Sequence, residues 1–269
     1  MLKVNDITIT SLDIITAYSL DGVPRFILDE LSDATIANTQ EREDITGKAG
    51  RLLNSLKRNK AVTISGTNGM LSAGLLEAQT GGEFEHKDEA IVEWSESLTV
   101  KSNKATTSYK ATGTAGAEIT ALYIKDTSGA AQEKLEQAAT ASEGKFAYAP
   151  ATKELTFAEG AIDDGTEIIV FYTRKIPADV LTNNSEKFSE KLRLVVDASA
   201  EDKCSNVYHL QIEIPKADFN GDFDIAMGDS QATHAFEANS LVSTANCGGS
   251  GIGGALWTWT IFGANVADA

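Results

Sequence analysis

Apolar and polar residues alternate over much of this chain, and the alternation predicts strands. Val4–Thr10 sets Val4, Ile7 and Ile9 against Asn5, Thr8 and Thr10, as a half-buried strand requires. Similar signals recur at Ile14–Ser19, Arg25–Asp29, Ala61–Ser65, Ala90–Trp94, Leu98–Lys101 and Ile119–Lys125. They continue at Lys145–Tyr148, Glu154–Phe157, Glu167–Thr173, Phe188–Asp197, Val207–Ile214, Thr233–Leu241 and Ala255–Phe262. One stretch changes period. Leu71, Leu75 and Ala78 recur at helical spacing, and Gly81 stands where a left-handed residue ends a helix. Leu71 and Leu75 should both face the sheet, with Glu77 turned away from it.

The segment before this helix organises the rest. Gly47 and Gly50 open it, Leu52, Leu53 and Leu56 form a short apolar turn, and Lys57, Arg58 and Lys60 make a basic patch. Gly66–Gly69 (GTNG) reads as a tight turn between strand and helix. Leu31–Asp44 is polar and supplies no core, so it is expected as a long excursion or an exposed hairpin. Thr106–Gly116 behaves as a linker, and Ala130–Ala141 as a marginal surface helix or loop. Asn220-Gly221 is the strongest hairpin signal, with Phe223–Met227 returning antiparallel from it. The fold class is therefore mainly β, an antiparallel β-sandwich or barrel with one short flanking α-helix and long loops. Residues 1–269 read as one such domain, with a possible inserted β module at about 95–176.

Composition narrows the function. The net charge is −16, from 23 basic and 39 acidic residues, which disfavours wrapping nucleic acid. Such a surface would repel DNA from a wall along which it slides. Cys204 and Cys247 lack metal-ligand spacing; reduced thiols are expected, with a disulfide between them as the alternative. Met1–Thr10 lacks the continuous apolar run of a signal peptide, and no run approaches the roughly 20 residues of a membrane span. A soluble protein made in a cytoplasm, with no membrane partner, is expected.

Each candidate chemical motif has a plainer explanation. Gly249-Ser250-Gly251-Ile252-Gly253-Gly254 has dinucleotide-loop lettering but precedes a tryptophan-rich strand instead of a helix. Asp218, Asn220, Asp222 and Asp224 alternate as in a calcium loop, yet its glycine position holds Phe223 and its glutamate position Asp229. Gly47-Lys48 lacks the earlier glycine of a phosphate loop, since Arg42 stands there. His86, His209 and His234 are far apart in sequence, and no G-x-S-x-G elbow exists. No catalytic, cofactor or metal residues are assigned, and no enzyme is expected.

The run DITGKAGRLLNSLKRNKAVTISGTNGMLSAGLLEAQTGG resembles the N-terminal half of tailed-phage major tail tube proteins. LQIEIPKADFNGDFDIAMGDSQATHAFEANSLV is similar to their C-terminal part, and the two stretches cover about a third of the chain. The resemblance implies a structural virion protein that forms homohexameric rings, stacked into a hollow conduit for DNA ejection. It implies contacts with tape measure, tail terminator and baseplate proteins, passage of viral DNA without specific binding, and synthesis in the host bacterial cytoplasm. The block at about 95–176 is longer than a minimal tube subunit requires. Candidate self-assembly residues are Arg58 and Lys60 of the basic patch, Glu77 of the helix, and Asp33, Thr39 and Glu43 of the polar excursion. The alternatives are a capsid decoration protein, and a carbohydrate- or ligand-binding β-sandwich with Trp257 and Trp259 as its platform. Their shared face more often belongs to a core.

Overall fold

The computed structural model describes residues 7–125, 131–225, 233–242 and 254–263. The fold is mainly β, its strands paired antiparallel apart from one short parallel pairing, with one α-helix among the described residues. In chain order the elements are β1 (Ile7–Tyr18), β2 (Pro24–Leu28), β3 (Leu31–Thr46), β4 (Leu52–Asn68), α1 (Ala73–Thr80) and β5 (Phe84–Thr99). There follow β6 (Lys104–Thr106), β7 (Ile119–Lys125), β8 (Ala131–Gln137), β9 (Lys145–Ala149), β10 (Glu154–Phe157) and β11 (Glu167–Leu181). Last come β12 (Lys191–Asp202), β13 (Val207–Phe219), β14 (His234–Ser240) and β15 (Thr258–Gly263). The chain divides into two compact units: Met1–Phe84 with Leu181–Ala269, and Glu85–Val180.

The first unit is one sheet in the order β2-β1-β12-β13-β14-β4-β3, with β15 also paired to β13. Its core face carries the alternating residues of the central strands. Ile15, Leu194, Ile214 and Ile64 are all at most 1% exposed. The helix closes this core through Leu75 and Ala78, at 0% and 2% exposure. Ser72 caps it, its Oγ accepting from the Leu75 amide at 3.4 Å. Gly81 ends it at φ 67°, where its amide donates to the Glu77 carbonyl at 2.7 Å.

Leu71 departs from the expected pattern. It precedes the N-cap, lies outside the helix and is 54% exposed, so only Leu75 faces the sheet. The GTNG turn is also absent, because β4 runs through Gly66 to Asn68. Gly66 is there for close approach: a Cβ would lie 2.7 Å from the Asp33 carbonyl and 2.9 Å from the Phe236 ring. No tight hairpin forms at Asn220-Gly221, since neither residue has positive φ. Instead the Asn220 amide donates to the Glu237 carbonyl at 2.8 Å, within β14 (His234–Ser240). In place of the expected strand from Phe223, the described residues show a single bridge, Ile225 to His234. Met227, Asp229, Cys247 and Gly249–Gly253 lie outside the described residues.

The second unit is a sheet in the order β5-β11-β7-β8-β9-β10-β6. Leu122, Leu135, Phe146, Leu155, Ile168 and Val170 form its core. The expected helix or loop at 130–141 is strand β8, paired antiparallel to β7 and, at its end, parallel to β9. Helix propensity yields here because a strand places Leu135 opposite Leu122, buried at 6% exposure. The stretch expected to be a linker is packed, with Thr107 and Ala111 at 1% and 2% exposure. Tyr148 Oη accepts from the Ala111 amide at 2.9 Å, and Tyr172 Oη donates to Glu96 Oε1 at 2.7 Å. Burial, reinforced by Glu96, pushes the Tyr172 phenol far above its ordinary range.

Candidate assembly surface

The polar excursion and the basic patch are the two strands of one hairpin. β3 and β4 pair from Leu31↔Asn68 out to Thr46↔Leu52, and the 3₁₀ turn Lys48–Gly50 joins them. The Leu52–Leu56 stretch, expected as a turn, is the outer end of β4. Near its root β4 also pairs with β14, but that pairing stops at Asn239↔Thr63. Beyond that point, among the described residues, β4 pairs with β3 alone. From Ala37 to Ala61 every residue is exposed except Gly47 and Ser55. The hairpin is therefore a two-stranded arm outside any core.

This arm breaks the usual surface rule. Ile45, Leu52, Leu53 and Leu56 near its tip are 41%, 54%, 66% and 40% exposed. A two-stranded ribbon is marginal alone, and clustered exposed aliphatics mark a contact surface. Its charge also differs from the rest of the chain. Residues 37–61 hold Arg42, Lys48, Arg51, Lys57, Arg58 and Lys60 against only Glu41, Glu43 and Asp44. Arg58 pairs with Glu43 across the strands, and Arg42 Nε donates to Asp44 Oδ1 at 2.6 Å. That bond holds the Asp44 carboxyl below its usual range. Exposed pairs of this kind add little stability.

The hairpin thus brings together five of the six residues singled out from sequence. Asp33 lies near the root, Thr39 Oγ1 donates to the Ala61 carbonyl at 3.5 Å, and Glu43, Arg58 and Lys60 stand on the exposed arm. Glu77 is separate. Its Oε1 accepts from the Phe84 amide at 2.8 Å, fixing the chain just after α1.

Two concave surfaces flank the hairpin root. An acidic hollow of about 940 Å³ holds Asp33, Asp222, Asp224 and Glu237 on the solvent face of β3, β4 and β14. An apolar cleft of about 430 Å³ is lined by Ile9, Leu12, Leu31, Ile36, Trp257 and Trp259. Trp257 packs against the first core, and Trp259 is 43% exposed. The pair therefore edges the core and opens onto the surface. Sequence reasoning missed this cleft because Leu31 and Ile36 are distant from the tryptophans in the chain, and β3 and β15 are not paired strands but meet only across the folded sheet.

The histidines occupy unrelated settings. His86 Nδ1 lies 2.7 Å from Asp179 Oδ1 on the surface, and His209 stacks on Phe262. His234 is fully buried beneath α1. Among the described residues, no three His, Cys, Asp or Glu side chains are placed to hold a metal ion. Cys204 is a free, exposed thiol.

The model of the YomU/Tube protein family matches residues 8–251 of the chain. No curated protein matches it.

Proposed function

Because the chain belongs to the YomU/Tube protein family, we propose that it is the major tail tube subunit of a bacteriophage: a structural protein of the virion tail. In this reading copies associate into rings, the rings stack, and the stack forms the conduit through which DNA is ejected. The observation that carries the reading is the β3–β4 arm, whose exposed leucines have no core of their own to join. Such a surface is stable in water when a neighbouring copy covers it.

The charge supports the same reading. A chain at −16 presents few sites for phosphate and suits a wall that DNA passes without binding. Hexameric rings, and contacts with tape measure, terminator and baseplate proteins at the tube ends, belong to this proposal. A capsid decoration protein is the structural alternative. The carbohydrate-binding reading is weaker. A flat sugar platform needs nearly coplanar rings, and Trp257 and Trp259 are tilted by 44°.

Electron micrographs of concentrated purified protein test the proposal. Annular particles and hollow tubes are expected, and uniform monomers or closed trimers would overturn it.

A further inference from the structure

We propose that the apolar cleft bordered by Trp257 and Trp259 is the receptor for the Leu52–Leu53 arm tip of a second copy of this chain. The inference rests on the self-assembling reading above and names the two surfaces that meet. Each surface is incomplete alone. The tip exposes Leu52 and Leu53 at 54% and 66%, while the cleft exposes Ile9 at 52% and Trp259 at 43%. About 430 Å³ of apolar space accommodates two leucine side chains without requiring a polar partner in the cleft.

The tip cannot reach the cleft of its own molecule. Ile36, in the cleft wall, and Thr46, at the tip, lie on the same strand of a continuously paired ribbon. At about 3.4 Å per residue their separation is roughly 30 Å. Folding back would break the β3–β4 ladder, so the occupant is another copy.

Charge favours the same match. The arm is the basic part of an acidic chain, and Asp33 lines both the apolar cleft and the acidic hollow on the opposite sheet face. Lys57, Arg58 and Lys60 behind the docked leucines would meet this acidic root. Tip and cleft are different surfaces, so the contact is heterologous. It leaves one free tip and one free cleft after every addition, and it propagates until a ring closes.

Two variants test the inference in the full chain. Leu52→Asp with Leu53→Asp ruins the tip and leaves the cleft, whereas Trp259→Asp ruins the cleft and leaves the tip. Leu52 and Leu53 are more than half exposed, so the tip variant should retain the wild-type melt. Trp259, at 43% exposure, is partly covered, so its variant should melt cooperatively at a somewhat lower temperature and be compared below that melt. Each alone should need roughly tenfold or more protein to assemble. Mixed in equal amounts, they should form a dimer that grows no further, visible by sedimentation velocity. A mixture that stays monomeric overturns the docking inference, as does either variant alone assembling at wild-type concentration. The tube reading is judged separately, by whether the wild-type protein forms hollow tubes.

Discussion

His234 Nε2 lies 2.7 Å from Gln79 Oε1, while its Nδ1 accepts the Ser72 amide at 3.4 Å. One imidazole thus ties the N-cap and the last turn of α1 to β14. The geometry requires the neutral ring with its proton on Nε2. Gln79 is held in place in turn, its Nε2 donating to the Ala235 carbonyl at 3.1 Å.

This arrangement makes the subunit sensitive to acid. Burial lowers the His234 pKa below the ordinary value, so the unfolded chain takes up the proton first. Its contribution is complete above about pH 6.5 and is lost as pH falls toward the depressed folded value. Thermal melts between pH 7.5 and 5 should show stability declining with acid. His234→Gln should be less stable at pH 7.5, with a shallower decline. Parallel declines in the two proteins would contradict this role.

Leu75 and Leu71 separate burial from mere apolarity. Leu75→Ala removes a side chain at 0% exposure and should cost about 2–5 kcal/mol. Leu71→Ala alters a residue that is 54% exposed and should change stability by less than about 0.5 kcal/mol. Denaturant midpoints measure both, and equal losses would place Leu71 in the core after all.

Gly81 and Gly22 share a left-handed backbone but differ in surroundings. At Gly22, φ is 88° and nothing lies within 4 Å of an added Cβ, so Gly22→Ala carries only the conformational cost of about 1–2 kcal/mol. At Gly81 an added Cβ would collide with the Phe188 carbonyl. Gly81→Ala should therefore destabilise clearly more than Gly22→Ala, and matching losses would show that the 188 backbone yields freely.

The arm should be the first part of an unassembled subunit to be cut. Arg42, Arg51, Lys57 and Arg58 are exposed on a ribbon without a core. Trypsin should cleave there rapidly in dilute protein and at least about tenfold more slowly after assembly, as in local opening suppressed by a bound partner. Mass spectrometry of the early fragments checks this, and equal rates in both states would contradict burial of the arm.

Much of the fold was legible because its signals are local. The alternation of Ile119–Lys125 and Glu154–Phe157 marks β7 and β10 with their observed bounds, and Leu75, Ala78 and Gly81 mark the helix and its end. The failures are long-range. Glu133 to Gln137 favour a helix in isolation and become β8 only because β7 and β9 lie alongside. Asn220-Gly221 has hairpin chemistry, but the Asn220 amide is taken by Glu237. For the candidate surface, sequence singled out the polar and basic stretches as candidate self-assembly segments. That they are the two strands of a single arm, with leucines at its end, required the register from Leu31↔Asn68 to Thr46↔Leu52.

In the proposed assembly the β3–β4 arm builds the tube. Electron microscopy tests this most plainly, with the intact chain beside a variant in which residues 40–60 are replaced by an Asn-Gly turn, so that Thr39↔Ala61 and the pairs nearer the root keep their register. At the same concentration, and with folding verified by its thermal melt, the intact chain should form hollow tubes and the shortened chain dispersed subunits. Normal tubes from the shortened chain, or an intact chain that stays monomeric at every concentration, would show that the arm does not build the assembly.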